Sequence, residues 1–363
     1  MRILQITSAR HFGGGERHLI DLARGLNERG HEIYVGLRPT NEWQDRLDFI
    51  PQTNILHVSI RNSFGMFSAN RIGRFVERNK IDIIHAHVAR DYLAASVAQR
   101  IAKRSKLVLT RHVIFPLKSF HRYALSNVDA AVGVSPPVSD RLLNIFPAAK
   151  VHTIANGLDV SPDPEAARRA AEFRFDHGIS MDTPLVVTIG ELKPLKGQMD
   201  LLLAAAEIVK KMPDIHFVIV GVDNTAGKRF RRDLKRLAHT LGIDGKITWL
   251  DWVEDTRPLF AAADIFVSPS HSESFGLAIL EAMASGLPVV ATETDGAMTL
   301  IGNEGLLVPI NDPIEMGEKI FALAADQNKR TEVGDALKRR AEEQFSQTKF
   351  IDSHIELYES LLK

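Results

Sequence analysis

The sequence predicts an α/β protein built from two doubly wound domains. Three observations carry this reading. Short apolar runs alternate with amphipathic helical stretches through the first half of the chain, the pattern of parallel βαβ units. The alternation restarts after a Pro/Asp/Gly-rich stretch, Asn156–Pro164, which reads as a linker. The length, 363 residues, suffices for two cores of ordinary size. The expected domains are 1–160 and 161–345, followed by an amphipathic helix over 346–363.

The elements follow in order. Arg2–Thr7 reads as a strand, then a Gly-rich turn, then a helix from about Gly15 to Arg29, then a strand over Glu32–Leu37. Strands are expected at Ile81–Ala86, Leu107–Thr110 and Ala130–Val134, with a helix over Ala89–Ala102 between the first two. In the second half, the apolar strand Leu185–Ile189 precedes a loop and the helix Gln198–Lys211. His216–Val220, Ile247–Leu250, Ile265–Val267 and Pro288–Ala291 read as further strands. Ligands of such sheets bind beyond the carboxyl ends of the strands, so the default site is a cleft between the two domains.

Composition narrows the class. Apolar residues make up 45% and charged residues 25%, the balance of a soluble globular protein. Cysteine is absent, which removes disulfides, thiolate nucleophiles and zinc–cysteine sites together and fits a reducing compartment. The amino terminus lacks a basic segment followed by an apolar one, and no apolar run approaches the ~20 residues that span a bilayer. A cytoplasmic location is expected.

The zero net charge conceals an asymmetry. Residues 1–160 hold 22 Lys and Arg against 13 Asp and Glu, a net of +9, and the rest of the chain is −9. Between Tyr92 and Val128, Arg100, Lys103, Arg104, Lys106, Arg111, Lys118 and Arg122 meet no acid in the sequence. That excess suits an anionic partner such as phosphate or an acidic lipid surface, or else a solvated helix face.

Four motifs carry chemistry. The first runs from Ser268 to Ala291, where a strand ends, a Ser/Gly loop follows, and a helix opens with Ser274 as its expected cap. The backbone N–H groups of Ser274, Phe275, Gly276 and Leu277 suit an anionic or polar ligand. Glu273 and Glu281, eight residues apart, lie ~12 Å apart if the segment is helical. A glycosidase pair needs roughly 5–9.5 Å, so the two are expected to hold two ends of an extended ligand.

The second motif, Gly190–Gly197, puts Lys196 at a strand-to-helix turn, where a point cation neutralises phosphate. The third, His11-Phe12-Gly13-Gly14-Gly15-Glu16, follows the first strand and lets backbone approach a phosphate closely. It is not GxGxxG, which disfavours a dinucleotide-dependent dehydrogenase. The fourth, Thr110-Arg111-His112, ends a strand with a histidine able to bond a substrate hydroxyl or phosphate. His85 and His87, two apart on one strand face, join His112 in a weak hint of metal binding. No carboxylate or cysteine completes a recognised spacing, and Asp-x-Asp is absent, so no metal or other cofactor is expected.

Taken together these segments resemble the family 4 glycosyltransferases, retaining enzymes of the two-domain GT-B fold. The resemblance runs through Gly13-Gly14-Gly15-Glu16-Arg17-His18, Ile84-His85-Ala86-His87, Gly133-Val134-Ser135-Pro136, Ile154-Ala155-Asn156-Gly157, Lys196-Gly197 and, most densely, Ala263 to Thr292. It implies a metal-independent, retaining transfer of a sugar from a nucleotide-sugar donor, UDP- or GDP-linked, to a hydroxyl acceptor. Glu273 and the backbone of Ser274–Leu277 would bind the sugar, and Glu281 the ribose. Lys196 would neutralise the diphosphate, aided by Gly13–Gly15, and His112 would meet the sugar or leaving phosphate. Trp252 and Val253 stand where the family contacts the base, and the last helix would cross back onto the first domain.

The sequence departs from the family at Glu191, often arginine, at Asp251, often glycine, and at Asp295-Gly296-Ala297. The basic residues Arg100, Lys103, Arg104, Arg111 and Lys118 point to an acceptor, lipid-linked or of the cell envelope, at an anionic membrane; no nucleic acid is expected. The rival readings are a nucleotide-sugar epimerase or hydrolase of the same fold and a non-catalytic nucleotide-sugar binding protein.

Overall fold

The computed structural model describes residues 1–60, 66–161 and 163–363, so Pro162 within the expected linker lies outside the described residues. The chain forms two units, Met1–Gly157 with Gln347–Lys363 and Leu158–Ser346.

In the first unit the chain runs β1 (Arg2–Thr7), α1 (Gly14–Glu28), β2 (Glu32–Leu37), β3 (Ile55–His57), α2 (Met66–Asn79), β4 (Ile83–Ala86) and α3 (Ala89–Ala102). It continues through β5 (Lys106–Arg111), α4 (His121–Ala124), β6 (Ala130–Gly133), α5 (Pro136–Leu142) and β7 (Val151–Thr153). The strands form one sheet in the order β3-β2-β1-β4-β5-β6-β7, paired in parallel throughout. Side chains alternate across a strand, so β1 feeds both faces: Ile3 joins Leu19, Leu22 and Leu26 of α1, while Leu4 and Ile6 join Ile72 of α2 and Ala95 of α3.

The second unit runs α6 (Ala166–Asp176), β8 (Leu185–Ile189), α7 (Gln198–Lys211), β9 (His216–Val220), α8 (Arg229–Thr240), β10 (Ile247–Leu250), α9 (Arg257–Ala262) and β11 (Ile265–Ser268). It ends with α10 (Leu277–Ala284), β12 (Val289–Thr292), α11 (Asp295–Ile301), β13 (Leu306–Val308), α12 (Pro313–Ala325) and α13 (Gln327–Gln344). Its sheet order is β10-β9-β8-β11-β12-β13, again parallel. Asp312 caps α12 by accepting from the N–H groups of Ile314 and Glu315, with Pro313 at the first helical position.

The last helix, α14 (Gln347–Leu362), belongs to the first unit and packs on α1. Phe350, Ile351, Leu357 and Tyr358 are buried there, each contributing about 1.5–3 kcal/mol of apolar burial. Asn156 is no free linker residue. It is buried, and its side chain bonds His18 of α1.

A buried arginine organises one edge of the second unit. Arg174 of α6, 5% exposed at its side chain, donates to the carbonyls of Ala262, Ser180 and Thr183 and to the Asp264 carboxylate at 2.9 Å. Asp264 in turn accepts from Leu185 N at the start of β8. Breaking a buried pair strands the partner charge, so Arg174→Met should cost this unit about 3 kcal/mol, the low end because Asp264 keeps some water. Urea unfolding of the variant measures it; a loss under about 1 kcal/mol would assign the fastening to apolar packing instead.

Candidate active site

The strand order of the second unit reverses between β8 and β11, and the loops leaving these two strands are the place for a ligand in such a sheet. They are stitched together. His271 N donates to Leu195 O at 2.9 Å, the His271 ring donates to Asp200 Oδ2 at 2.6 Å, and Lys196 Nζ forms an ion pair with Glu273 Oε2. Both partners of that pair are about one-fifth exposed, with the Lys196 stem lying against Gly190. A half-buried ammonium already matched to a carboxylate is held in place, facing water on one side, before any anion arrives.

The β11 loop is held from beneath. Thr292 Oγ1 at the end of β12 donates to Ser270 O, and Gly296 N at the start of α11 donates to Glu273 O at 2.8 Å. Phe275 is buried against Phe345, ring centroids 6.1 Å apart. Gly276 follows at φ +99°, and only then does α10 begin, at Leu277. Ser274 is therefore not the helix cap. The left-handed turn that glycine supplies delays the helix by three residues, so the ~12 Å axial spacing of Glu273 and Glu281 does not apply. Glu273 sits in the loop, and half-buried Glu281 in the second turn of α10.

After β10 come Asp251, Trp252 and Val253. Trp252 is 54% exposed and its ring N–H donates to Glu254 at 2.9 Å, while Val253 is half-buried. Asp251 pairs with Arg231 and lies 3.8 Å from Lys228.

The first unit brings histidines together at its own switch point, between β1 and β4. Gly13 precedes α1, and Gly14 and Gly15 are its first residues, with the His112 ring 3.7 Å from where a Gly15 side chain would begin. His18 of α1 packs edge-on against His112 and His87, centroids 4.6 and 5.3 Å away. His18 bonds Asn156 Oδ1 at 2.6 Å, and His87 bonds Gln5 Oε1 at 2.6 Å. His85 of β4 spends both ring nitrogens, on Tyr358 and Thr110, each at 2.7 Å. His354 of α14 bonds Phe350 O.

Burial holds these rings neutral. It pushes His18 down to about 4 and His354 down to about 3, and, with the neighbouring rings, holds His85, His87 and His112 well below the ordinary value. The unfolded chain takes up these protons near pH 6.5 and the folded unit does not. Stability is thus fully present above pH 6.5 and falls by about 1.4 kcal/mol per histidine for each pH unit below it. Asp91, pushed up to about 6 by burial, works the other way and offsets roughly one of the five. The melting temperature of the first unit should drop steeply between pH 6.5 and 5; a flat profile would mean the rings are solvated.

Sequence comparison decides the class. Residues 12–162 match the model described as Glycosyltransferase Family 4, and residues 170–340 the model described as Glycosyl transferases group 1. The chain belongs to the family 4, group 1 glycosyltransferases. This glycosyltransferase is 27% identical to the lipopolysaccharide core biosynthesis glycosyltransferase LpsE of Rhizobium meliloti, over 96% of the chain and 98% of the relative. It is 25% identical to the N-acetyl-alpha-D-glucosaminyl L-malate synthase of Bacillus anthracis, over 99% and 97%. In fold it matches a glycosyltransferase of Rickettsia africae and Anabaena HepE in complex with UDP, each with a TM-score of 0.87 and 23% identity. Those alignments cover 100% and 99% of the chain and 98% and 100% of the two structures. The architecture is GT-B.

The glycosyltransferase places the residues singled out from its sequence unevenly. Lys196, Glu273, Ser274, Phe275, Gly276 and Leu277 sit on the two loops at the second switch point, and Trp252 and Val253 beyond β10. Glu191 is matched locally. Burial raises its carboxyl, but Lys193 at 2.5 Å and Asn224 at 3.1 Å outweigh that and hold it below the usual range. Arg111 is not a surface cation: it is buried, with its guanidinium on Phe115 O. Arg104 and Lys106 find acids from outside their stretch, Asp82 at 3.7 Å and Asp129 at 3.5 Å. Arg100, exposed, donates to Ala124 O and Asn127, whereas Lys103 and Lys118 are exposed. Sequence reasoning passed over His354 and gave no role to His18 or Asn156. Their shared signal, polar residues that are fully buried, exists only after folding.

Proposed function

We propose that this glycosyltransferase binds a UDP- or GDP-linked sugar on its second unit and transfers the sugar, with retention and without a metal, to a hydroxyl acceptor. The observation that carries this is the Lys196–Glu273 pair across the β8/β11 switch point: one cation for a diphosphate and one carboxylate for sugar hydroxyls, four residues before a helix N-terminus. Glu281 serves the ribose, and the backbone of Trp252 and Val253 the base. Similar proteins support the donor class, since Anabaena HepE has been seen with UDP and with UDP-glucose.

In the reaction the bond from anomeric carbon to phosphate oxygen breaks with its electron pair going to the diphosphate. The acceptor oxygen attacks from the same face and gives its proton to the departing phosphate oxygen. Lys196 stabilises the charge where it develops. On the first unit, His112, held neutral by burial, offers a hydrogen-bonding group rather than a cation, and the Gly13–Gly15 backbone at the start of α1 suits an anionic group.

For the acceptor we infer an anionic, lipid-linked molecule met at a membrane surface. The segment after β5 exposes Val113, Phe115, Phe120 and Tyr123 beside exposed Lys118 and Arg122, the mixture that lies in a headgroup layer. Among the described residues no helix is long and apolar enough to cross a membrane. A thermal-shift panel of UDP-, GDP- and ADP-sugars tests the donor, because only a bound donor raises the melting temperature. An inverted product anomer would overturn retention, and indifference to anionic liposomes at low salt would overturn the membrane contact.

A further inference from the structure

We propose that the first unit carries a transition-metal site in which His18 Nε2, His87 Nδ1 and His112 Nε2 bind one zinc-class divalent ion. These three nitrogens are buried and lack any hydrogen-bond partner. The three residues each bring a ring nitrogen to within 4.8 Å of the others. His18 and His87 are 2% and 4% exposed, so bulk water does not serve them.

For His18 and His87 the opposite ring nitrogen is already committed. Asn156 Oδ1 accepts from His18 Nδ1 and Gln5 Oε1 from His87 Nε2, each at 2.6 Å, which puts the N–H on the far side and the lone pair on the near side. An outer carbonyl oxygen that fixes the tautomer and aims the ring is the usual second layer of a histidine metal site. His85, the nearest histidine in sequence to His87, is excluded because both its nitrogens are bonded. His18 takes the place that sequence spacing gives to His85.

The ligand set selects the ion. Three neutral imidazoles with no carboxylate suit Zn²⁺, Co²⁺, Ni²⁺ or Cu²⁺ and disfavour Mg²⁺ and Ca²⁺, which take oxygen ligands. Zn–N bonds of about 2.0–2.1 Å put tetrahedral ligand nitrogens roughly 3.4 Å apart, so the rings close by about an ångström on the ion. The fourth position goes to water or an anion, or to His354 Nε2, also buried and unpartnered on the next helix. An ion here occupies His112, so it inhibits transfer; that consequence rests on the role proposed for His112, whereas the site does not.

Cobalt(II) is the probe. Titrated into the full chain without donor, it should give the intense visible absorption of a tetrahedral nitrogen site, saturating at one ion per chain and bleached by Zn²⁺. Asn156→Ala keeps all three ligands and should weaken cobalt binding about 10–100-fold, while His18→Gln and His87→Gln should each abolish the tetrahedral band. A wild-type chain that takes up no cobalt, or shows only the weak spectrum of six-coordinate cobalt, overturns the site whatever the variants do. Stoichiometric binding without inhibition of transfer keeps the site and overturns the role of His112.

Discussion

Lys196→Ala should lower kcat/KM by two to three orders of magnitude, with most of the loss in kcat. In the proposed reaction the ammonium faces charge that grows as the diphosphate leaves, and removing one such group costs about 3–4 kcal/mol of transition-state stabilisation. The deletion also removes the cation that pairs with the Glu273 carboxylate, so an anionic donor bound as proposed would meet an unmatched negative charge. Stability should change little, by about 1 kcal/mol, because both partners keep some contact with water. The double variant Lys196→Ala, Glu273→Gln separates the two contributions: the repulsion goes, the missing cation remains. Steady-state kinetics with saturating acceptor reads this directly, and near-normal turnover of the single variant would remove Lys196 from charge stabilisation.

Gly197→Ala should be the most damaging small substitution in the second unit, at about 3–5 kcal/mol. Gly197 sits at φ +64°, where a methyl side chain costs about 1 kcal/mol or more. Its added carbon would lie 1.8 Å from Pro269 O, a backbone atom that cannot swing aside. To relieve this the β8 and β11 loops must part, which breaks the His271 N to Leu195 O bond and moves Lys196 from Glu273. Gly245→Ala, where the methyl meets open space, is the control. Urea unfolding gives the stability change, and a loss equal to the control would show that the loops are not clamped together.

Much of the scaffold is legible in the sequence, because buried parallel strands are dense apolar runs. β1, β2, β8, β9 and β10 and the helices α3 and α7 fall where periodicity puts them, to the residue. The three-residue strands β3, β7 and β13 escape it, since three residues are too few to display a period. α10 starts late because a positive φ at Gly276 is a tertiary choice, imposed by Phe275 turning inward. The polar site is read less well for a related reason. Spacing pairs His85 with His87, but hydrogen bonds to Tyr358 and Thr110 remove His85, and His18 arrives from a helix about seventy residues earlier. Arg111 looks like a surface cation until its buried contact with Phe115 is seen.

The return of α14 sets an order of assembly during synthesis. Domains usually fold in the order they leave the ribosome, but here the first unit is made of two chain segments and the second of one. Leu158–Ser346 can close its sheet as soon as it emerges. The unit begun at Met1 must wait with the groove over α1 uncovered, and with His85 lacking Tyr358, until α14 follows. The half of the protein made first is therefore the half finished last.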